Sequence, residues 1–559
     1  MSTPHGAADR AGLPFQRDAM LTRLEADQFD VVVVGGGITG AGVALDAATR
    51  GLRVALVERG DFASGTSSKS SKLVHGGLRY LQQGEVGLVY QALHERQRLR
   101  RNAPHLVKVL PFMIPVLTRD GVVSRKIARA LGSAMWMYDL TGGWRIGRIH
   151  RRLRKQAALA HMPTMPSDRL ASAYLYYDAT VDDARLVLTV ARTAADHGAV
   201  VANRCAAVDL AKDERGRVAA VVVEADGRRI TVRTSAVVNA AGVWSDAVRT
   251  LDEGVDPDSI RPAKGVHLTV PWEKVRNDIA VVIPVPGDKR SLFVVPWGPR
   301  HDGTFEHTYV GTTDTDYDGP VDDPQCTADD IDYVLRALNA SVTTGVTADD
   351  ITGVWAGLRP LVKAASSGRT ADLSRRHRVT PSPAGVITVT GGKLTTFREM
   401  AEDTVDAVLT LLGRSARCRT RRLPLRGAEG FVEHADRHGS LPHLAHRYGA
   451  GADEVRALIA RTPSLADQLV DDLPFFAAEA VYAVTDEMAT TLDDVLTRRI
   501  PARLFERGEA ERAAQRTAEL VAPLLGWDAA MTERQVADFL ERCAAEQRAA
   551  ARVGSVVER

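Results

Sequence analysis

Between Asp30 and Glu58 the chain commits itself to a parallel sheet from its beginning. Asp30–Val34 is a β-branched run of the kind a strand buried on both faces needs. Gly35-Gly36-Gly37-Ile38-Thr39-Gly40 follows with the spacing G-x-G-x-x-G. Gly35 permits a tight turn, Gly37 lets the backbone approach a pyrophosphate, and Gly40 lets a helix pack close on the strand. A helix over Ala41–Arg50 then presents its N-terminus to the phosphate charge, and Gly51 ends it. Arg53–Val57 reads as the next strand. Glu58 closes it with a carboxylate that accepts two ribose hydroxyls and repels a 2′-phosphate. A glycine turn alone says little. Strand, turn, helix, strand and acid together describe a dinucleotide site.

Two later segments decide which dinucleotide. Ala236–Gly242 (AVVNAAG) is a third strand running into a glycine turn, with Trp244 and Asp246 beyond it. Val386–Thr390 is a fourth, followed by Gly391-Gly392-Lys393-Leu394-Thr395-Thr396 and a helical run to about Leu412. A positive helix end near the N1–C2=O edge of a flavin stabilises the anionic reduced ring. A nucleotide fold assembled from beginning, middle and end implies a substrate region inserted between its parts. NAD enzymes usually complete theirs in one block, so the reading is FAD. Thr66–Tyr80 (TSSKSSKLVHGGLRY) follows the first unit with hydroxyls, cations and paired glycines. It suits a loop running under a flavin and onward to a pocket for a small anion.

The rest bounds the class. A chain of 559 residues exceeds one core and should hold two or three domains. A net charge of +2, with no basic face interleaved with aromatics, gives no case for nucleic acid. Cys205, Cys326, Cys418 and Cys543 are scattered and fit a reducing compartment. His434, His438, His443 and His446 lack the glutamate of H-E-x-x-H, so no metal is expected. Residues 1–21 have no apolar signal region and read as a disordered tail. No stretch reaches the roughly eighteen uninterrupted apolar residues of a spanning helix. The expectation is therefore a cytoplasmic protein. One segment, Val122–Lys155, suits the inner face of a membrane. Ile127, Leu131, Met135 and Tyr138 recur at helical spacing beside Arg125, Lys126 and Arg129, and Trp136, Trp144 and a run of arginines follow. An amphipathic helix in an anionic bilayer and a packed helix with a solvated basic tail fit equally well.

At this point the chain resembles the FAD-dependent glycerol-3-phosphate dehydrogenases, from about Phe29 to Arg499. VVVVGGGITGAG, SSKLVHGGLRYL, VDDARLVL, NAAGVWSD, KGVHL, GTTDTDYDG, GLRPL, SRRHRV and GGKLTTFREMAEDTVD carry the resemblance, with YAVTDEMATTLDDVLTRR in the last domain. It implies oxidation of sn-glycerol 3-phosphate to dihydroxyacetone phosphate, electrons passed to a quinone, and a homodimer. It also implies that Ser67, Ser68, Ser71 and Lys72 contact the pyrophosphate or flavin.

The residues in those motifs carry suitable chemistry. A dianionic phosphate needs several fixed cations, preferably guanidinium forks. Arg79, Arg359 and Arg375 supply forks, Lys264 and Lys393 supply point charges, and Tyr80 is a hydroxyl donor. Arg376, next to Arg375, is an equal candidate to point inward. Hydride leaves C2 for the flavin while the hydroxyl proton goes to a base, and an imidazole suits that task near neutral pH. His75 and His267 are both candidates, with Arg359 or a water as further ones. Thr312-Thr313-Asp314 can orient the arginines, or can be a plain turn.

The expected architecture is α/β: a Rossmann-like FAD-binding domain, an antiparallel-sheet substrate or cap domain and a helical C-terminal domain. FAD-binding parts fall at about 22–110, 180–260 and 380–415, within a core spanning 22–422. The cap falls at 111–179 and 261–379, with strands in 264–320 roofing the flavin. A linker over Leu423–Gly430 leads to helices over 431–545 and a tail over 546–559. Two other functions remain open. One is an oxidase using oxygen on glycerol phosphate or an amino acid, although the surplus of cations argues against the amino acid. The other is a non-catalytic flavin-containing surface module.

Overall fold

The computed structural model describes residues 15–78, 85–117, 125–288, 290–300, 302–363, 376–431 and 442–551. Its nucleotide half is a six-stranded sheet with Val31–Val34 near the middle. Val54–Val57 and Val200–Ala202 extend it in parallel on one side, Val237–Asn239 and Val386–Thr390 on the other. Arg378–Pro381 closes that second edge antiparallel. These short strands are buried on both faces, which accounts for their unbroken valines. The helices Ile38–Thr49, Asp183–Asp196 and Phe397–Leu411 pack together against the sheet. A separate four-stranded sheet, built from Gln28–Phe29 and three strands within 206–234, flanks this core.

The second large sheet has ten strands, eight along its main path and two paired off it, and is broader than 264–320 alone. Ile260–Pro271, Ala280–Pro284, Ser291–Pro299, Phe305–Gly311 and Gly353–Val362 form its centre. Lys108–Leu117 joins in parallel to Ala280–Pro284, and Leu170–Thr180 follows antiparallel, so the sheet is mixed at that junction. The helix Ala328–Asn339 backs the far side through Ile331, Val334 and Leu338.

Helices Ala452–Arg461, Ala477–Thr485, Arg507–Leu525 and Ala529–Ala551 build the C-terminal part around Phe475, Tyr482, Leu492 and Phe539. Buried charge joins it to the nucleotide half. Asp61 accepts from Arg498 at 2.6 Å and from Arg499 at 2.6 and 2.9 Å, while Arg185 and Arg192 meet Glu487. The two arginines hold the Asp61 carboxyl far below the usual range against the opposing effect of burial.

Two boundaries move. The tail expected over residues 1–21 gives way to a helix at Arg17–Ala26, because Met20, Leu21 and Leu24 have an apolar core to enter. Arg17 ties it down on the carbonyls of Asn203 and Arg204. At the other end Ala529–Ala551 stays helical past 546, and Glu546 lies 3.2 Å from Arg503.

Candidate active site

The three glycine turns lie at the carboxyl ends of adjacent parallel strands, where such sheets bind ligands. Gly35 has φ +113°, and a Cβ there would stand 2.6 Å from the Ala240 carbonyl oxygen. On Gly40 a Cβ would fall 1.8 Å from the Gly35 carbonyl oxygen, so helix and strand touch only because residue 40 is glycine. Ser67 Oγ accepts from the Ile38 N–H at 3.0 Å, which puts it at the N-terminus of the first helix. Glu58 is held by backbone donors, Gly36 N at 2.6 Å and Gly60 N at 2.7 Å, and desolvation raises its pKa. A cavity of about 690 Å³ runs from these turns past Glu58, Ser67, Ser68, Gly242, Gly391, Gly392, Lys393 and Leu394. Glycine cradles, a helix N-terminus and a fixed carboxylate are the donor and acceptor set a flavin dinucleotide needs.

The loop after the first unit lies on one face of the ten-stranded sheet. Thr66 Oγ1 donates to Leu358 O at 2.6 Å, Trp355 Nε1 to Ser70 O at 3.1 Å, and Tyr309 OH to Ser71 O at 3.0 Å. Cross-strand register explains the convergence. Trp355 and Gly311 both face His267, and Phe293 faces Gly311, so these residues form one row on one side of the sheet.

His267 is enclosed in that row. Its ring stacks on Trp355 with centroids 4.8 Å apart and planes 12° apart, and its Nε2 lies 2.9 Å from Ser71 Oγ. Gly311 makes room for it, since a Cβ there would stand 2.2 Å from the ring. Burial first, then the charges of Arg359 and Lys72, push its pKa well below the ordinary imidazole value. Both effects favour the neutral ring of His267.

Arg359 occupies the same face four residues beyond Trp355. Its guanidinium donates to Asp314 Oδ1 at 3.0 Å, Thr312 Oγ1 at 3.2 Å and Thr313 O at 3.1 Å. Gly265 gives it space, because a Cβ there would meet Nη2 at 2.6 Å.

His75 sits on the next stretch of the loop, half-buried, with its ring 6.1 Å from Phe293. Its backbone N–H donates to Thr395 Oγ1 at 3.2 Å, tying it to the third glycine turn. Gly76 N–H reaches Asp178 Oδ1 and Tyr138 OH, both at 3.2 Å. Behind them Arg96 is fully buried against Asp178 and the Tyr177 carbonyl. This Arg96–Asp178–Tyr138 support was not legible in the sequence. Its members lie on one strand and two helices with no motif between them.

Other expected residues are placed elsewhere. Lys264 follows strand alternation to the opposite face, where its ammonium is 2.6 Å from Asp330 and 3.3 Å from Gln325 O. It does not join Arg359. Lys72 turns from the nucleotide turns to Asp183, at 2.5 Å, and lies over the Trp355 ring. Ser71 likewise serves His267. The Asp183 partner belongs to VDDARLVL, a motif whose role only this contact reveals. Arg376 points outward to Glu85. Arg79, Tyr80, Arg375, His434 and His438 lie outside the described residues, as do the side chains of Arg125, Lys126, Ile127 and Arg129. His443 Nε2 is 2.9 Å from Glu479. Among the described residues no cluster has the makings of a metal site.

In the amphipathic segment the regular stripe is core. Met135 and Tyr138 are buried, whereas Trp136, Leu140, Trp144 and Ile149 are 57%, 77%, 55% and 56% exposed. Among the described residues no helix is long and apolar enough to cross a membrane.

A family described as FAD dependent oxidoreductase matches residues 30–406, and one described as the C-terminal domain of alpha-glycerophosphate oxidase matches 418–532. The chain is 42% identical over 549 residues to glycerol-3-phosphate dehydrogenase 2 of Mycobacterium tuberculosis, covering 95% of this chain and 91% of that one. It is 36% identical over 546 residues to the human mitochondrial glycerol-3-phosphate dehydrogenase, covering 92% and 73%. The glycerol-3-phosphate dehydrogenase of Bacillus halodurans, solved with FAD, superposes with a TM-score of 0.77 at 30% identity, over 94% of this chain and 97% of that one. FAD is the cofactor these glycine turns are built to hold, and the chain belongs to the FAD-dependent glycerol-3-phosphate dehydrogenase family.

Proposed function

We propose that this chain oxidises sn-glycerol 3-phosphate to dihydroxyacetone phosphate and delivers the electrons to a membrane quinone. The observation that carries the reading is Arg359. It is a guanidinium held by three partners on the sheet face that His267 also occupies, across from the loop bearing His75. A fixed fork of this kind suits a phosphate dianion. Arg79, Tyr80, Arg375 and Lys393 complete the proposed substrate set. FAD, when bound, accepts the hydride that leaves C2.

The hydroxyl proton goes to a residue of this chain. A proton on His267 is opposed by burial and by two neighbouring cations, so we give His267 the role of holding Ser71. We assign proton uptake to His75, whose backbone is pinned on both sides and whose ring borders the same face. The cost of removing a general base, about 10²- to 10⁴-fold in rate, separates the two imidazoles. His75→Asn should lose that much in kcat, and His267→Asn much less. Equal losses would overturn the assignment.

Exposed Trp136, Leu140, Trp144 and Ile149, with Arg145 stacked on Trp144, form the surface we propose for the cytoplasmic leaflet. A homodimer is proposed from the family resemblance, and light scattering of the holoenzyme reads it directly. The deciding experiment is anaerobic bleaching of the flavin by sn-glycerol 3-phosphate, followed by reoxidation. Fast reoxidation by a soluble quinone and slow reoxidation by air supports the dehydrogenase. Fast reoxidation by air makes it an oxidase, and no bleaching rejects the substrate.

A further inference from the structure

Three segments far apart in sequence meet at one carboxylate oxygen. Asp322 Oδ1 accepts from Arg59 Nη2 at 2.6 Å and from Trp244 Nε1 at 2.8 Å. The Arg59 guanidinium also lies 5.0 Å from the centre of the Trp244 ring, within cation–π range. The indole rests on Gly65, where a Cβ would come to 2.9 Å, so the ring closes directly on the loop that begins the flavin segment.

All three residues line the dinucleotide cavity. Yet the side chains of Arg59 and Asp322 are 57% and 69% exposed. Residues that face both a cavity and the solvent form its rim. Arg59 directly follows Glu58, whose carboxylate suits the ribose, and Trp244 follows the Gly242 turn. Asp322 comes from the loop ahead of the helix Ala328–Asn339, which belongs to the substrate region. The contact therefore joins both nucleotide segments to the substrate region at the edge of the cavity. An ion pair this exposed adds little to the stability of the fold, so core packing does not account for the meeting.

We propose that Asp322, Arg59 and Trp244 form a latch over the adenosine half of bound FAD, so that the cofactor leaves only when Asp322 lets go. The latch concerns cofactor retention and does not depend on which substrate is oxidised. Dissociation requires the latch open, and strengthening or weakening it changes the release rate more than the fold.

The test measures FAD release from the holoenzyme by the rise in flavin fluorescence after dilution. Asp322→Ala removes both bonds and should speed release by roughly five- to thirtyfold. Trp244→Phe keeps the stacked ring but loses the donor, and should have a smaller effect. In the wild type, added salt should speed release by screening the pair, and Asp322→Ala should lose that response. The thermal midpoint of the apoprotein should stay the same in both variants. Release rates equal to wild type overturn the latch, as does faster release matched by a lower apoprotein midpoint. Should Asp322→Ala fail to fold, Trp244→Phe and the wild-type salt response still decide, since unchanged release and no salt effect reject the proposal.

Discussion

The nucleotide turns and the sheet face beside them hold their shape by different means. At the turns the backbone does the work. Gly35 and Gly40 allow approaches that no side chain permits, and Glu58 is fixed by two peptide N–H groups. On the sheet face the side chains hold one another: Arg359 on Thr312 and Asp314, His267 on Trp355 and Ser71, Lys72 on Asp183. A backbone site follows from local residue order. A side-chain site depends on which strand lies beside which, and in what register.

Damaging each half separately tests whether the two are independent. Gly40→Val should abolish flavin content, because its side chain would enter the space of the Gly35 carbonyl; the visible absorbance of purified protein reads this. Arg359→Lys should leave flavin content intact while kcat/KM for sn-glycerol 3-phosphate falls about 10²- to 10³-fold, since a point charge replaces the fork. If flavin content falls in parallel with kcat/KM, the two halves are not separable.

Lys264→Met sharpens the distinction between the two faces. Stripping Asp330 of its buried partner should destabilise by about 3–5 kcal/mol in urea unfolding. The KM should change little, because the ammonium lies behind the sheet. A large rise in KM with stability preserved would return Lys264 to the substrate.

The buried imidazoles should make the stability of the fold sensitive to acid. His105 is 1% exposed, and burial followed by the charges of Arg185 and His446 lowers its pKa from 6.5 to about 4. His267 is lowered in the same sense. The unfolded chain then binds more protons than the folded one below pH 6.5, so stability is full above that value and falls as pH drops. For His105 alone the loss between pH 6.5 and 4 approaches about 3 kcal/mol. Urea midpoints across that range should fall, and His105→Gln should flatten the slope. A wild-type profile that is flat would show these rings to be protonated in the folded state.

The smallest effect concerns the surface. Replacing Trp136, Leu140 and Trp144 together by serine should reduce flotation with anionic liposomes several-fold and leave unfolding nearly unchanged, because all three side chains are exposed. Equal flotation of wild type and variant would remove this face from the membrane proposal.

Much of the fold was legible because it is written locally. The valine runs, glycine turns and Glu58 announce the dinucleotide sheet, and the separation of the three turns along the chain announces the insertion between them. The helix Arg17–Ala26 was missed because its three core residues sit among charged ones and become a face only against the nucleotide core. The amphipathic segment misled differently. Its periodic Met135 and Tyr138 are core, and the exposed surface belongs to residues out of that register.

The dinucleotide site built from backbone turns is written in the residue order alone, since glycine spacing and strand composition act over a few residues. The same order also supplies the arginines, lysines and histidines from which an anion site can be made. Which of them face that site depends on how the strands and loops pack. Strand alternation sends Lys264 behind the sheet, and the loop turns Lys72 to Asp183. Register stacks His267 on Trp355 near two cations, which disfavour its charged form. Lys264 meets Asp330 across 66 positions of the chain and Lys72 meets Asp183 across 111, distances that no local pattern records.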